Sequence, residues 1–448
     1  MRMLVPLLKN NTMYKALTLA IGFGLAMPST ASSLFEVAES ALVNHPQLQI
    51  AQLVISMDQQ QSLIQRSAYT PQVALGSSIG ANDAPLISRA ENSQYFAATG
   101  ELRVSQILYD VNGLMVLAGL DLKVEKSQLE ALETESMVLL DVTQRYIQAA
   151  TAIDKMNLKR EEQLYNDQLL TSATHKYQLQ QIYITDVYMA QANYDLAVAD
   201  TLVAITEVDA ALASLSEISG VRVNAFDPEN QLVTTNQQRS LEYWQTQAQE
   251  ANYGIKAARM ASRVALKALD ADAYANSPII DAKLVINKQI YRGGSSLTPG
   301  ASTRSVVISL NMPLYQGGRV AAQKQYSKDR YNVALQQQQK LEQELTSRVT
   351  AQYLQEQAMH KRIEAITKAL ESTVKATHTI RTGLGYGVST QAQLLASTKQ
   401  EFQLQLQLKQ AKYQATLSNM QLRQMAGQLT LEYLRNLSKQ LQVTGGDV

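Results

Sequence analysis

Histidines, carboxylates and a glycine-rich stretch are the residues of this chain that could do chemistry. The four histidines lack the spacing, to acids or to one another, that a metal site requires: His45, His175, His360 and His378. Residues 383–387 read GLGYG and look like a phosphate-binding loop, but they follow a helical pattern and lack the Lys-Ser/Thr pair of such loops. No nucleophile stands beside a base. The sequence therefore predicts no catalytic site, no metal, no cofactor and no enzymatic activity.

Composition and charge narrow the class of partner. The chain has 448 residues, of which 46% are hydrophobic, and its 40 basic residues nearly balance its 39 acidic ones. Such a balance produces no field that would attract nucleic acid, so no nucleic-acid partner is expected. The chain contains no cysteine, which is ordinary for an exported protein of the Gram-negative envelope and excludes a lipid anchor on an N-terminal cysteine.

The first residues predict a secretory signal peptide over residues 1–31. Lys9 and Lys15 precede an apolar run at 16–27, and small residues lead up to a cleavage point after Ala31. The run is shorter than the roughly 20 residues that a membrane-spanning helix needs. Met13 is an alternative start that would leave a more compact signal.

The mature chain contains two tandem repeats. Pro71 recurs as Pro278, and Gly220 recurs as Gly427, each 207 residues later. Each copy is expected to contain a first helix, two strands and two long helices. The predicted segments are a first repeat at 34–227, a polar connector at 228–240, a second repeat at 241–436 and a C-terminal tail at 437–448. Within them we expect first helices at about 34–69 and 241–276, and strands at about 71–82, 95–109, 278–291 and 303–315.

The predicted strands alternate apolar with small or polar residues. In the last of them, Val306, Ile308 and Leu310 alternate with Ser305 and Ser309. This period of two is typical of a strand with one wet face, and about ten residues suffice to cross a membrane. The strands alone favour a soluble sandwich and a membrane barrel equally; the signal peptide and the helices favour the barrel.

The helical patterns are unusually long. Residues 112–177 predict about 65 residues of continuous helix, or nearly 100 Å. Apolar residues within it follow coiled-coil spacing: Leu139, Val142, Tyr146, Ala149, Ile153 and Met156. Polar residues around this narrow stripe indicate a helix that stands in a thin wall with water on both sides.

Four strands cannot close a membrane barrel. Lipid tolerates no open sheet edge, and the smallest barrels have about eight strands. A barrel would therefore have to be shared between chains. The strands would pass into the helices at Tyr109 and Tyr315, where we expect Gly113 or the pair Gly317 and Gly318 to absorb the change of backbone direction.

Three stretches and the duplicated layout resemble the TolC family of outer-membrane channel-tunnels. The stretches are PLYQGGRV at 313–320, QIYITDVYMAQANYD at 181–195 and GLGYGVSTQAQLLAST at 383–398. The resemblance implies an α+β membrane protein: a homotrimer whose four strands per chain form a twelve-stranded outer-membrane β-barrel, continued by a periplasmic α-helical barrel of coiled-coil hairpins. It implies an outer-membrane exit duct for type I protein secretion or multidrug efflux. The implied partners are a periplasmic adaptor (membrane fusion protein), an inner-membrane ABC or proton-driven transporter, and outer-membrane lipid.

The resemblance also places a gate at the periplasmic entrance. Gln393 and Ala396 fall where family members carry acidic constriction residues. Ser389 falls at the position of a latch Arg, and Leu384 near that of a latch Tyr, with Tyr386 two residues on. We therefore expect an entrance without an acidic ring, held shut mainly by packing and neutral hydrogen bonds.

In the first repeat, Thr185 and Asp186 match the partner positions of that latch. Asp186 is interpreted as a residue that caps a helix or bonds across a hairpin tip. At the tips themselves, the resemblance implies adaptor contacts at Gln180, Gln181 and Gly387, where Gln180 replaces a Gly of the family.

One alternative remains, a periplasmic coiled-coil adaptor of an export system, because its helical hairpin would show the same heptads. Adaptors usually combine one hairpin with compact β-rich domains, whereas this chain has two hairpins and four candidate strands. The exported substrate is not specified by the sequence.

Overall fold

The chain folds into long helices and one small antiparallel sheet. The computed structural model describes residues 33–83, 94–224, 226, 239–292 and 300–444, so the predicted signal peptide and most of the connector lie outside the described residues. The helices are α1 Leu34–Asn44, α2 Pro46–Ser67, α3 Val111–Gln178, α4 Ile184–Ser219, α5 Leu241–Ala251, α6 Tyr253–Ala273, α7 Arg319–Gly385, α8 Gln391–Met425 and α9 Leu431–Thr444. The strands are β1 Gln72–Asp83, β2 Gln94–Tyr109, β3 Ile279–Arg292 and β4 Ser302–Asn311. None of the described helices combines the length and the apolar character needed to cross a membrane.

The order helix-helix-strand-strand-helix-helix occurs twice. The first helix of each copy, expected to be continuous over 34–69 and 241–276, is instead broken into two. His45 is held in an extended conformation because the proline ring of Pro46 disfavours helical geometry at the preceding residue. Asn252 breaks the second copy: its side chain caps α6 by accepting from the Ile255 N–H and donates to the Met425 carbonyl at 2.9 Å.

One four-stranded sheet joins the two copies, in the order β1-β2-β3-β4. The central pair, β2 and β3, comes from different repeats, and a bulge interrupts it between Ile107 and Tyr109. The last strand ends at Asn311 rather than near 315 as expected. Pro313 follows closely, and a proline has no N–H to donate to a neighbouring strand.

The two longest helices are continuous. α3 has 68 residues and α7 has 67, which corresponds to about 100 Å each. The coiled-coil stripe predicted for α3 is buried: Leu139, Val142, Tyr146 and Ala149 are fully inaccessible to solvent. The stripe packs against α1, the ends of α4 and α8, and α9, and Tyr146 stacks on Phe226 with ring centroids 4.4 Å apart.

Short helices stack end to end along the long ones. α4 ends at Gly220 in the left-handed conformation, where Asn44 donates to the Ser219 carbonyl at 3.2 Å. A Cβ on Gly220 would lie 2.8 Å from the Asn44 Cβ, so only glycine fits. Gly427 ends the equivalent segment of the second copy with φ +64° beside Ala251. α9 then crosses the boundary expected at 436/437, and Leu437 is buried in the core rather than beginning a tail.

The two hairpin turns have the same hydrogen bonds 207 residues apart. Gln180 and Gly387 occupy the left-handed conformation, with φ of 58° and 74°. The following N–H closes each turn: Gln181 donates to the Lys176 carbonyl at 2.9 Å, and Val388 donates to the Gly383 carbonyl at 3.0 Å. Such a turn is the common way to end a helix, and glycine adopts it without steric cost.

We expect Gln180→Gly to stabilise the first turn. The left-handed conformation costs a non-glycine residue about 1 kcal/mol, so hydrogen–deuterium exchange at residues 180–181 should slow about fivefold. The matched control is Gly387→Gln, which should speed exchange at the second turn by a similar factor. Unchanged exchange in both variants would contradict the strain assigned to Gln180.

Candidate functional site

One face of the sheet exposes a broad apolar surface. Val73, Leu75 and Ile79 of β1 are 69%, 83% and 82% exposed, and Val306 and Ile308 of β4 are 75% and 70% exposed. The strand register places Leu75 opposite Leu102, and Leu284 opposite Val306, so the same face continues across all four strands. Exposed apolar patches of this extent mark a surface that meets lipid or another protein.

The opposite face of the sheet is polar and internally paired. Arg103 lies 2.5 Å from Glu101, and Lys283 lies 2.8 Å from Asp281. Small and polar residues, such as Ser78, continue this face along β1. An apolar face backed by a polar, ion-paired one is the arrangement expected for a strand with lipid on one side and water on the other.

The first strand-to-helix junction is built around Asp110. Asp110 caps α3 by accepting from the Gly113 N–H at 3.0 Å, and it accepts from the Tyr69 hydroxyl at 3.2 Å. Burial, together with the Asp110 charge, raises the pKa of Tyr69 to about 12. Gly113 lies within the regular helix and absorbs no change of backbone direction, contrary to expectation. It is required for space, because a Cβ would lie 1.9 Å from the Tyr69 hydroxyl oxygen.

The second junction uses glycine conformation instead. Gly317 and Gly318 have φ of +60° and +84°, and Gly318 is the N-cap of α7. Here the glycines do carry the change of direction expected from the sequence. Tyr109 and Tyr315, at the helical end of the sheet, are 46% and 85% exposed. Exposed tyrosines at this end of the sheet suit the interface between hydrocarbon and water.

The hairpin tips present apolar and aromatic side chains to solvent. Tyr183 and Tyr386 are each 82% exposed, Val388 is 81% exposed and Leu179 is 68% exposed. The predicted tip residues Gln180, Gln181 and Gly387 lie among them and are exposed. The two tips therefore form equivalent apolar ends, each supported by the same turn geometry.

The predicted gate residues of the second repeat lie at and beyond its turn. Gln393 forms a capping box with Thr390: its side chain accepts from the Thr390 N–H at 2.9 Å, and its own N–H donates to the Thr390 hydroxyl at 3.2 Å. Ser389 donates through its N–H to the Gly383 carbonyl at 3.3 Å, next to the half-buried Leu384. Tyr386 points into solvent, as the tip aromatic described above.

The remaining gate candidates lie along the two shorter hairpin helices. Ala396 lines a cleft of about 440 Å³ between α3, α4 and α8. Thr185 and Asp186 stand in the first turn of α4, where a carboxylate interacts favourably with the helix N-terminus. Asp186 holds the position, 207 residues earlier, that Gln393 holds in α8. The structure does not bring the first-repeat pair into hydrogen-bond contact with the second-repeat candidates within the described chain.

Sequence reasoning missed a residue that does join the two hairpins, Tyr165 of α3. The Arg381 guanidinium lies 5.7 Å from the Tyr165 ring centroid, the Thr398 hydroxyl donates to the Tyr165 hydroxyl at 3.3 Å, and the Phe402 ring packs edge-on at 6.5 Å. Arg381 lies near the C-terminal end of α7, whereas Thr398 and Phe402 belong to α8. Tyr165 thus contacts both helices of the second hairpin, about 20 Å along α3 from its end at Gln178.

A second missed contact ties α3 to α8 farther from the tips. Asp154 is 2% exposed. The Lys409 ammonium donates a hydrogen bond to its carboxylate at 2.8 Å, and the Tyr413 hydroxyl donates a short one. Asp154 directly follows Ile153 inside an apolar stripe, and a carboxylate at such a position is the sequence signal that could have indicated this contact. A buried carboxylate in such a stripe requires a cation and hydrogen-bond donors from another helix.

Comparison with known proteins agrees with this architecture. Residues 244–428 match the family described as outer membrane efflux protein. The chain is 23% identical to the outer membrane protein TolC of Escherichia coli (strain K12), over 96% of this chain and 90% of TolC. It is also 23% identical to the outer membrane protein TolC of Vibrio cholerae serotype O1, over 96% of this chain and 99% of that protein.

A solved structure shows the same fold. The Campylobacter jejuni CmeC outer membrane channel superposes with a TM-score of 0.74 at 13% sequence identity, and the alignment covers 95% of both chains. The predicted fold class, with one antiparallel four-stranded sheet and long helical hairpins, is therefore confirmed. Residues 244–428 thus resemble the outer membrane efflux protein family, and the chain has the fold of the solved outer membrane channel.

Proposed function

We propose that three copies of this chain form an outer-membrane exit duct that receives substrate in the periplasm and releases it outside the cell. The observation that carries the proposal is the sheet with one exposed apolar face and one ion-paired polar face, which leads directly into helices of about 100 Å. The sheet suits a bilayer, and the helices are long enough to reach far into the periplasm.

The trimer is supported by the edges of the sheet. Within the described residues, β1 and β4 each pair with one neighbour only, so each leaves one row of backbone N–H and C=O groups without a strand partner. Because β1 and β4 run in opposite directions, β4 of one copy can pair with β1 of the next to continue an antiparallel barrel. Two copies would give a barrel of about eight strands, and three copies would give twelve. TolC-family channels function as trimers, which favours the assembly of three copies.

The gate is proposed to lie near the hairpin tips and to depend on Tyr165. Its contacts with Arg381, Thr398 and Phe402 hold the second hairpin against the first. The hydrogen bond to Thr398 and the ring contact with Phe402 are neutral, the type expected in the absence of an acidic ring, and the Arg381 guanidinium adds a cation–aromatic contact. Gln393 and Ala396 are proposed to lie at the narrowest part of the assembled entrance.

The tips are the proposed contact with a periplasmic adaptor, which would couple the duct to an inner-membrane ABC or proton-driven transporter. Their exposed Tyr183, Tyr386 and Val388 supply the apolar surface that such a contact would bury. The alternative, that the chain is itself the adaptor, is disfavoured by the amphipathic sheet and by the family match. A neighbouring transporter gene of either type would indicate whether proteins or small molecules are exported.

We expect the purified protein to migrate as a heat-modifiable trimer in SDS gel electrophoresis and to fractionate with the outer membrane. Closed barrels resist SDS because every strand edge is paired. In planar bilayers the same sample should give a small, steady conductance. A monomer that migrates identically before and after boiling and carries no current would contradict the shared barrel.

We expect Tyr165→Ala and Arg381→Gln each to raise the single-channel conductance severalfold, because either change removes contacts that hold the second hairpin against the first. The control is Tyr188→Ala, which removes a 66% exposed tyrosine from α4. It should leave the conductance unchanged. Equal effects of the three variants would assign the change to general loosening of the helices rather than to the gate.

Gln393→Asp is expected to make the channel more selective for cations. The substitution places one carboxylate per chain at the proposed constriction, and a ring of carboxylates favours cations in a narrow pore. Reversal potentials under a salt gradient measure the effect. The control Gln181→Asp adds the same charge at the first tip, and equal shifts in both variants would show that Gln393 has no special place at the constriction.

A further inference from the structure

Three cationic side chains lie on the apolar face of the sheet, toward the end that is farther from the helices. They are Lys288 and Arg292 of β3 and Arg304 of β4, and all three are exposed. We propose that they bind the phosphate groups of anionic lipid in the outer leaflet. The inference rests on the proposed function, because it requires this face to meet the bilayer.

The strand register brings the cations together on one face. Lys288 is opposite Ser302, and Arg304 is opposite Ile286, so Lys288 and Arg304 are diagonal neighbours. Diagonal pairs lie about 7–8 Å apart, within reach of one phosphorylated headgroup for two long side chains. Arg292 lies four residues farther out on β3, opposite Phe96 of β2.

The height of the cations matches a headgroup boundary. Eight residues separate Ile280, at the helical end of β3, from Lys288, which is about 26 Å along the strand and about 20 Å along the membrane normal for a strand tilted by about 40°. Leu284 and Val306 occupy the same face below the cations, and Ile286 is level with Arg304. By the same measure Arg304 lies about 15 Å and Arg292 about 30 Å from Ile280, so the three cations span the outer edge of an apolar band that is about 25 Å tall.

The cations of the two faces differ in their partners. On the polar face, Arg103 and Lys283 are paired with Glu101 and Asp281. On the apolar face, the three cations have no ion-pair or hydrogen-bond partner in the part of the chain that the structure describes. Long basic side chains can extend from an apolar surface to a phosphate, which accepts two hydrogen bonds from an arginine. A soluble anion would gain nothing from the adjoining apolar band, whereas a lipid would contact both surfaces.

The test measures lipid retained by the purified protein in mixed nanodiscs. Bisphosphorylated lipid A competes with phosphatidylcholine, and bound lipid is counted by native mass spectrometry. We expect wild type to prefer lipid A roughly tenfold or more at low salt, as three cations near a charged surface allow. The variant Lys288→Gln/Arg292→Gln/Arg304→Gln should lose this preference, and the control Arg103→Gln/Lys283→Gln, altered on the other face of the same sheet, should keep it.

Each other outcome overturns the inference. A triple variant that keeps the preference would show that these residues do not bind the phosphates. Equal retention of dephosphorylated lipid A would assign the preference to acyl chains, and full competition by inorganic phosphate would indicate a site for free anions. Conductance recorded from the same samples separates the two proposals: a conducting wild type without lipid preference overturns only this inference, whereas a wild type that never conducts overturns the exit duct and the lipid site together.

Discussion

Backbone hydrogen bonding at the edges of β1 and β4 is the constraint on which the rest of the architecture depends. An unpaired N–H or C=O group in hydrocarbon costs several kcal/mol, so a sheet that enters a bilayer must close on itself. Four strands are too few to close, and the exposed apolar face of β1 and β4 has no covering element in the described chain. In the proposed duct the sheet would therefore be part of a larger barrel, to which each half of the chain would supply one hairpin.

The helices face a milder constraint, because a helix satisfies its own backbone groups. A wall one helix thick can bury only a narrow stripe, and such stripes allow neighbouring helices to slide. Specific polar contacts remove this freedom: Asp154 holds α8 through Lys409 and Tyr413, and Asn44 and Asn252 hold the ends of stacked helices. The buried carboxylate is costly to desolvate, and its value lies in setting one register between α3 and α8.

Much of the fold could be predicted because its signals are local. The alternation of Val306, Ile308 and Leu310 predicted a strand, and the three-four spacing from Leu139 to Ile153 predicted a long buried stripe; both are present. The breaks at His45 and Asn252 differ from the predicted continuous helices, although Pro46 is a local signal for the first of them. Gly113 was assigned a conformational role because its neighbour Tyr69, 44 residues earlier in the sequence, could not be identified from spacing.

By itself, the sequence determined the class of most elements, the duplication and the turn positions, and it led to the expectation of a shared sheet. These follow from residues a few positions apart, or from counting strands. Only the tertiary structure decided that β2 pairs with β3 across the repeats, that Tyr165 joins the two hairpins, and that Asp154 meets Tyr413, which lies 259 residues away. Such contacts depend on how helices and strands are rotated and shifted against one another, and that geometry is a property of the packed chain rather than of any short segment.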